Sequence, residues 1–170
     1  MKEETRKQQE ETRRQQNAQR LQKISPTIRP AVALVIADME ADGHRPLIHE
    51  NVHRTIAEQL QMVRRGVSKT RYSYHNATTP DGRPDSLAAD IVDADQLWNV
   101  ERRFWMDLCR HALARGLRSG YFFGLTLKEK QALLGACERR DYGAKLRTGW
   151  DAAHVQTARV TIEQARQGLR

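Results

Sequence analysis

The sequence predicts an α+β fold in which helices flank a small antiparallel sheet. Several segments have the apolar spacing of amphipathic helices, and short apolar strand candidates lie between them. The two kinds of segment do not follow the regular strand–helix–strand alternation of a parallel sheet. At 170 residues, the chain has the length of one domain and would bury roughly 70% of its unfolded surface.

The N-terminal segment differs in composition from the rest of the chain. Residues 1–24 are rich in Glu, Lys, Arg and Gln, with almost no large apolar side chain. Glu3 with Lys7 and Glu10 with Arg14 have the i,i+4 spacing that stabilises a solvated helix. Because such a helix has no apolar face to bury, we expect a charged N-terminal extension over residues 1–24 and a compact domain over residues 25–170.

Apolar spacing and turn signals divide the compact domain into helices and strands. Helices are predicted for Ile28–Met39, for Arg54–Gly66 with a capping box of Thr55 and Glu58, for Leu97–Arg115 and for Leu127–Arg139. Strands are predicted for Pro46–His49, Ala88–Val92 and Tyr121–Leu125, and a fourth strand starts after a turn within residues 149–155. The buried stripe of the third helix is predicted to comprise Trp98, Phe104, Trp105, Leu108, Cys109, Ala112 and Leu113.

Charge and composition narrow the classes of function. A net charge of +8 suits a polyanionic partner such as nucleic acid or the anionic polymers of a bacterial wall, although it also favours solubility alone. No window approaches the roughly 20 apolar residues of a membrane span. The N-terminus lacks the apolar centre of a secretory signal, so we expect synthesis in the cytoplasm. Cys109 and Cys137 lie in predicted helices and are expected to be buried, reduced thiols.

Two of the six histidines stand out as candidates for chemistry. His44 follows a helix-ending glycine and is expected to be exposed, and His111 is expected at the surface or boundary of a helix. His75 and His154 differ from these, because each is accompanied by a carboxylate in a setting that suggests a site.

The carboxylates in question are Asp90 and Asp151. Asp90 lies among apolar residues of a strand, where its burial costs several kcal/mol unless it is paired or binds a metal. Asp151 and His154 are three residues apart and can reach a common volume from one turn. Two histidines and one carboxylate are a usual ligand set for catalytic zinc, and a second carboxylate can take a proton from water. Alternatively, Asp90 pairs with an arginine such as Arg54, and Asp151 with His154 forms only a capped turn.

Four phrases of the sequence resemble a known family. They are Arg54-Thr55-Ile56-Ala57-Glu58-Gln59, Ser73-Tyr74-His75, Ala88-Ala89-Asp90 and Asp151-Ala152-Ala153-His154. In this order they are similar to the zinc D-Ala-D-Ala carboxypeptidases and L-alanyl-D-glutamate endopeptidases, which include vancomycin-resistance dipeptidases and several phage endolysins. That family carries an R-T-x-x-E-Q phrase, then S-x-H-x-x-G-x-A-x-D, then D/E-x-x-H.

The resemblance covers about residues 28–156, and it includes one clear departure from the family pattern. The family places its histidine and aspartate seven residues apart, whereas His75 and Asp90 are fifteen apart. A Thr-Pro-Asp-Gly-Arg-Pro insertion lengthens this loop, and Ser86 stands where the family has glycine. An insertion in a surface loop costs little free energy if both of its ends stay anchored.

The resemblance implies a set of site residues. One zinc ion would be bound by His75, Asp90 and His154, and Asp151 would be the general base that activates the zinc-bound water. Arg54 would bind the substrate carbonyl or carboxylate and stabilise the developing oxyanion. The peptide site would be lined by Ser73, Gln59 and Trp150, although Trp150 could equally be a core residue.

The resemblance implies a zinc metallopeptidase that hydrolyses peptidoglycan stem peptides. The aspartate in the D-x-x-H phrase favours an endolysin-like L-Ala–D-Glu endopeptidase, which would reach the cell wall through lysis or with a phage particle. One alternative is a D-Ala-D-Ala carboxypeptidase on the same scaffold. Another is a non-catalytic basic module that binds wall polymer or nucleic acid. The lack of a recognisable helix-turn-helix, RNA-binding or zinc-knuckle motif counts against nucleic acid.

Overall fold

A computed structural model describes residues 2–170 and shows six helices and four strands within that range. The helices are α1 (Lys2–Leu21), α2 (Arg29–Ala41), α3 (Ile56–Arg64), α4 (Arg102–Ala114), α5 (Leu127–Glu138) and α6 (Ile162–Arg166). The strands are β1 (Pro46–Ile48), β2 (Ala88–Asp93), β3 (Leu117–Ser119) and β4 (His154–Thr157). This content confirms the predicted α+β class.

The four strands form one antiparallel sheet with the order β1-β2-β4-β3. In its centre, Asp90 on β2 lies directly opposite His154 on β4. Residues that face each other across an antiparallel pair project from the same side of the sheet. The register of the two central strands therefore places this carboxylate and this imidazole side by side.

The main core lies on the other side of the sheet. Ala89, Ile91 and Val155 are fully buried there, against apolar side chains of α2 and α4. Successive side chains of a strand project to opposite faces. Packing of these residues against the helices therefore sends Asp90 and His154 to the face away from α2 and α4.

The helices of the second half of the chain form a smaller apolar cluster. Thr126 caps the start of α5 in a capping box with Glu129. Thr55 caps α3 in the same way with Glu58, which confirms the predicted capping box. Cys109 of α4 and Cys137 of α5 are buried in this cluster as free thiols, as the sequence predicted.

Helix α1 is helical as predicted, but it buries a face, which the sequence did not predict. Arg13 Nη1 donates to Pro46 O at 2.7 Å, and Asn17 Oδ1 accepts from Ile48 N–H at 2.8 Å. Both side chains are buried against β1, whose outer edge lacks a neighbouring strand. The expectation of a helix without a buried face was wrong because this face is polar and satisfies the backbone groups of an edge strand. The division of the chain at residue 24 stays a prediction.

Two element boundaries also differ from the prediction. The apolar phrase predicted as a strand at Tyr121–Leu125 is not one, because residues 120–122 form a 3-10 turn and β3 precedes it. Tyr121 is buried in the helical cluster, so packing there replaces pairing in the sheet. The helix predicted from Leu97 begins at Arg102, because Leu97 has a φ of +53° within a turn. Trp98 is 50% exposed and does not belong to the buried stripe.

The prediction of an exposed His44 was also wrong. Its Nε2 lies 2.8 Å from Asp107 Oδ2, and Tyr142 OH donates to the other oxygen of Asp107 at 2.9 Å. Asp107 is buried in α4, so its charge requires partners, and His44 is drawn inwards. His111 is buried beside Asp42, at 2.8 Å. No helix among residues 2–170 combines the length and the apolar character that crossing a membrane requires.

Candidate metal centre

His75, Asp90 and His154 come together on the face of the sheet that is turned away from α2 and α4, which we call the open face. Each offers one ligand atom, and the three atoms all lie within 4.8 Å of one another. His75 Nε2 is 3.2 Å from His154 Nδ1, and Asp90 Oδ1 is 3.0 Å from His154 Nδ1 and 3.5 Å from His75 Nε2. All three side chains are buried. This group could hold a metal ion.

His75 reaches this group from a single 3-10 turn, Tyr74–Asn76. The long loop that separates it from Asp90 is anchored at both ends. Leu87 N–H donates to Tyr74 O at 3.0 Å, and Asp85 N–H donates to Ala77 O at 3.0 Å. The inserted residues therefore form an excursion that closes on itself, and His75 keeps its position beside β2.

The outer nitrogen of each imidazole is engaged by an oxygen acceptor. His75 Nδ1 lies 2.9 Å from Val52 O, and His154 Nε2 lies 2.9 Å from Gln156 Oε1. Since both oxygens only accept, each outer nitrogen carries a proton, and the inner nitrogen of each neutral imidazole presents its lone pair to the centre. When both inner nitrogens are unprotonated, two imidazole lone pairs and one carboxylate oxygen converge, and such a set of acceptors could bind a cation.

The ionisation of the group is consistent with a cation-binding centre. Burial by itself raises the pKa of Asp90, but the neighbouring His75 and the hydrogen bond from His154 hold that pKa well below its usual range. Burial lowers the pKa of His154, but the hydrogen bond and charge of Asp90, the charge of Asp151 and the hydrogen bond with Gln156 together outweigh this effect, and the pKa is raised. A protonated His154 Nδ1 donates to Asp90 Oδ1, so binding of a metal at this nitrogen requires loss of that proton.

Asp90 also pairs with Arg54, which was one of the alternatives left open by the sequence. Arg54 Nη2 donates to Asp90 Oδ2 at 3.2 Å, while Oδ1 faces the histidines. The two interactions use different oxygens, so they coexist. Arg54 Nη1 in turn donates to Gln59 Oε1 at 3.2 Å. Gln59 is fully buried and its Oε1 holds the Arg54 guanidinium, whereas its part in the peptide site stays a prediction.

The segments that carry Arg54 and His75 are bound to each other. Arg54 N–H donates to His75 O at 3.0 Å, and Asn76 Nδ2 donates to Arg54 O at 2.8 Å. Asn76 Oδ1 also accepts from Ser73 N–H at 2.7 Å. Asn76 therefore fixes the segment that carries Arg54 relative to His75. The sequence analysis missed this role.

Asp151 and Trp150 lie at the rim of the group. The Asp151 side chain is 33% exposed, and its Oδ2 is 4.0 Å from His154 Nδ1. Burial, helped by the charge of Asp90, raises the pKa of the Asp151 carboxyl. Trp150 is 77% exposed, so the alternative that it is a core residue was wrong. The ring of Phe123 lies 5.5 Å from that of Trp150 and 5.7 Å from that of His154, measured between ring centroids.

Two glycines let the chain bring Asp151 to this place. A Cβ on Gly120 would overlap Asp151 O, and a Cβ on Gly149 would overlap Gly120 O. Gly149 N–H donates to Tyr121 O at 2.6 Å. The segment before β4 therefore crosses the 3-10 turn at residues 120–122 at a distance that only glycine permits.

Comparisons with known proteins place this geometry in a known fold. No protein-family model matches the sequence, and no curated protein matches it. Among solved structures, the chain is similar to the L-Ala D-Glu endopeptidase ChiX of Serratia marcescens, with a TM-score of 0.50 and 20% identity over 84% of this chain and 86% of that one. The chain shares the fold of ChiX. The likeness to ChiX confirms the resemblance indicated by the four sequence phrases, and at this identity it concerns the fold.

In the fold shared with ChiX, the predicted ligands form one group, with Arg54 and Asp151 beside it. The sequence analysis missed Gln156, whose side chain orients His154. The available signal was its position two residues along the strand, because residues i and i+2 of a strand project from the same face. The Val52 carbonyl that orients His75 left no signal, since a backbone group contributes nothing to a side-chain pattern.

Proposed function

We propose that this chain is a zinc-dependent peptidase that cleaves peptidoglycan stem peptides between L-Ala and D-Glu and acts at the bacterial cell wall. The observation that carries the proposal is the convergence of two imidazole nitrogens and one carboxylate oxygen in the buried group of His75, Asp90 and His154. The fold shared with an L-Ala D-Glu endopeptidase supports the choice of bond.

The ligand group suits zinc in both chemistry and spacing. Zinc accepts His nitrogen and Asp oxygen at about 2.0–2.1 Å in tetrahedral sites, so two of its ligand atoms lie about 3.3–3.4 Å apart. The separations among the three ligand atoms here are 3.0, 3.2 and 3.5 Å. Three protein ligands leave the fourth position open, which is typical of a catalytic rather than a structural zinc site.

The residues around the group would divide the steps of hydrolysis. When bound, zinc would acidify a water molecule and polarise the scissile carbonyl. Asp151, partly exposed beside His154, would accept the proton of the attacking water and pass it to the leaving amine. Arg54 would place its positive charge beside the oxyanion that forms on the substrate.

Unpaired polar atoms next to the group would bind the peptide backbone. Arg54 Nε and Ser73 Oγ are buried and have no hydrogen-bond partner within the described chain, and the same holds for His53 Nε2. Each buried polar atom without a partner lowers the stability of the folded chain by about 1–3 kcal/mol, and a bound peptide would offset this penalty by hydrogen bonding. Ser73 and the exposed ring of Trp150 would thus line the peptide site.

The proposal is tested by metal analysis and by digestion of muropeptides. We expect about one zinc ion per purified chain, and cleavage of a disaccharide pentapeptide ending in D-Ala–D-Ala that releases a peptide with D-Glu at its N-terminus. A chelator should stop the reaction, and added zinc should restore it. Release of free D-Ala instead would identify a carboxypeptidase. Intact muropeptides together with no bound zinc would overturn the proposal.

A glycine substitution tests whether the backbone at Asp151 positions the general base. Gly120→Ala adds a Cβ that overlaps Asp151 O, so the segment before β4 must move. Because a displacement of about 1 Å in a catalytic group costs about 100-fold in rate, we expect kcat/KM for muropeptide cleavage to fall by about that factor.

Zinc content of the Gly120→Ala variant, measured by elemental analysis, should stay at one ion per chain, since Gly120 lies outside the ligand group. Gly143→Ala is the matched control, because a Cβ there would meet only Asp141 Oδ1 at an ordinary 3.8 Å. Equal activity of the two glycine variants would show that the close approach does not position Asp151.

A further inference from the structure

An arginine on the neighbouring strand shares the face of the sheet that carries the metal group. Arg118 on β3 lies directly opposite Gln156 on β4, and Gln156 in turn contacts His154. Since opposed residues project from the same side of a sheet, Arg118 projects from the open face. Its neighbours Leu117 and Ser119 are buried, whereas Arg118 is exposed.

Among the described residues, no acidic side chain pairs with Arg118, which distinguishes it from the arginines that are held in ion pairs. No hydrogen bond or ion pair engages its guanidinium in the part of the chain that the structure describes. Carboxylates engage several other arginines: Arg13, Arg45, Arg54, Arg110, Arg115 and Arg170. The positive charge of Arg118 reaches Tyr74, whose pKa is raised by burial but lowered in part by this guanidinium. Arg118 thus brings an unpaired charge towards the turn that carries His75.

The strand geometry sets the separation between Arg118 and the metal group. His154 and Gln156 are two residues apart on β4, which corresponds to about 6.7 Å along the strand. A step of about 5 Å across the pair then places the Cα atoms of Arg118 and His154 on the order of 8 Å apart. This separation is two to three residues of an extended peptide.

We propose that Arg118 is a substrate-binding residue that receives a free carboxylate of the peptide. The inference rests on the proposed function and adds a recognition element to the same site. A stem peptide with lysine at its third position offers two such groups: the α-carboxylate that D-Glu retains when the chain continues through its side chain, and the C-terminal carboxylate. A guanidinium binds either group through two parallel hydrogen bonds, which a lysine ammonium does not reproduce.

The test compares Arg118→Gln and Arg118→Lys with the natural chain on three synthetic tetrapeptide stems. One stem has both carboxylates free, one carries an amide at the D-Glu α-position, and one carries an amide at the C-terminus. For the free stem, we expect Arg118→Gln to raise KM about tenfold with little change in kcat, and Arg118→Lys to restore part of the loss. Zinc content should not change. If an amide at one position makes the KM values of Arg118→Gln and the natural chain equal, the carboxylate at that position is the one that Arg118 binds.

Arg6→Gln is the matched control for the change of charge, because Arg6 is exposed on α1, which packs at the β1 edge of the sheet, opposite β3. Equal KM values of Arg118→Gln and Arg6→Gln on all three stems would overturn the inference. Affinity for the same peptides is also measured by calorimetry on the zinc-loaded Asp151→Asn variant, with and without Arg118→Gln. Binding that depends on Arg118 without any turnover by the natural chain would refute the proposed function and support the inference. Turnover by the natural chain, together with peptide binding that does not depend on Arg118, would support the proposed function and refute the inference.

Discussion

Replacing His154 with alanine is expected to abolish zinc binding and, with it, all peptidase activity. The substitution removes one of three protein ligands and leaves Asp90 Oδ1 with only His75 at 3.5 Å. Asp90 keeps its ion pair with Arg54 through the other oxygen at 3.2 Å, so we expect the chain to fold. Elemental analysis should find no stoichiometric zinc, and muropeptide cleavage should fall below detection.

Thermal unfolding gives a readout of the His154→Ala variant that does not depend on activity. Free zinc at 1,000 times its Kd stabilises a binding-competent chain by about 4 kcal/mol, which corresponds to a rise in Tm of about 8–16 °C for a chain of this size. The natural chain should show this rise and His154→Ala should not. His111→Ala is the control, because His111 is also buried but pairs with Asp42 at the C-terminal end of α2, outside the ligand group. A zinc-dependent rise in Tm of His154→Ala would contradict the assigned ligand set.

Replacing Asp151 with asparagine is expected to retain zinc and to lower kcat by about 10²–10⁴-fold. Asp151 Oδ2 is 4.0 Å from His154 Nδ1, at the exposed rim, which suits a proton acceptor for an attacking water. Asparagine has the same shape but does not accept that proton, and loss of a general base typically costs this factor. Stopped assays of muropeptide cleavage measure kcat, and elemental analysis measures the zinc.

The pH dependence of the natural chain provides a second measure of the role of Asp151. Burial raises the pKa of this carboxyl above its ordinary value of 3.8. Since only the ionised carboxylate accepts a proton, kcat/KM of the natural chain should fall as the pH decreases through that raised pKa. The Asp151→Asn variant should not show this fall at low pH. Asp141→Asn, an exposed position after α5, is the control. Full activity of Asp151→Asn would show that another group is the base.

The candidate site could be predicted from the sequence because its residues lie in short local phrases. Asp90 could be identified as a candidate because it is a carboxylate in an apolar strand. Asp151 and His154 could be identified because they are three residues apart in one turn. The inserted loop between His75 and Asp90 was the weakest part of this prediction. Hydrogen bonds at the base of the loop, Leu87 N–H to Tyr74 O and Asp85 N–H to Ala77 O, explain why the insertion does not separate the two ligands.

The errors occurred where burial does not follow apolar spacing. Helix α1 has hardly any apolar residues, yet it buries Arg13 and Asn17 because the edge of β1 offers backbone groups to bond. The aromatic phrase at residues 121–125 has the composition of a strand, yet its residues pack among helices. Both outcomes depend on neighbours that are distant in sequence, which no local pattern records.

By itself, the sequence determined the α+β class and most of the helices and strands, because these follow from local spacing and residue chemistry. It indicated the three candidate ligands through the resemblance of its short phrases to a known family. Only the tertiary structure decided that Asp90 lies opposite His154, and that Val52 O and Gln156 Oε1 turn both imidazole lone pairs inwards. It also brought Arg118 to the open face beside them. Strand register and hydrogen bonds between distant residues set these features, and both form only when the chain is packed.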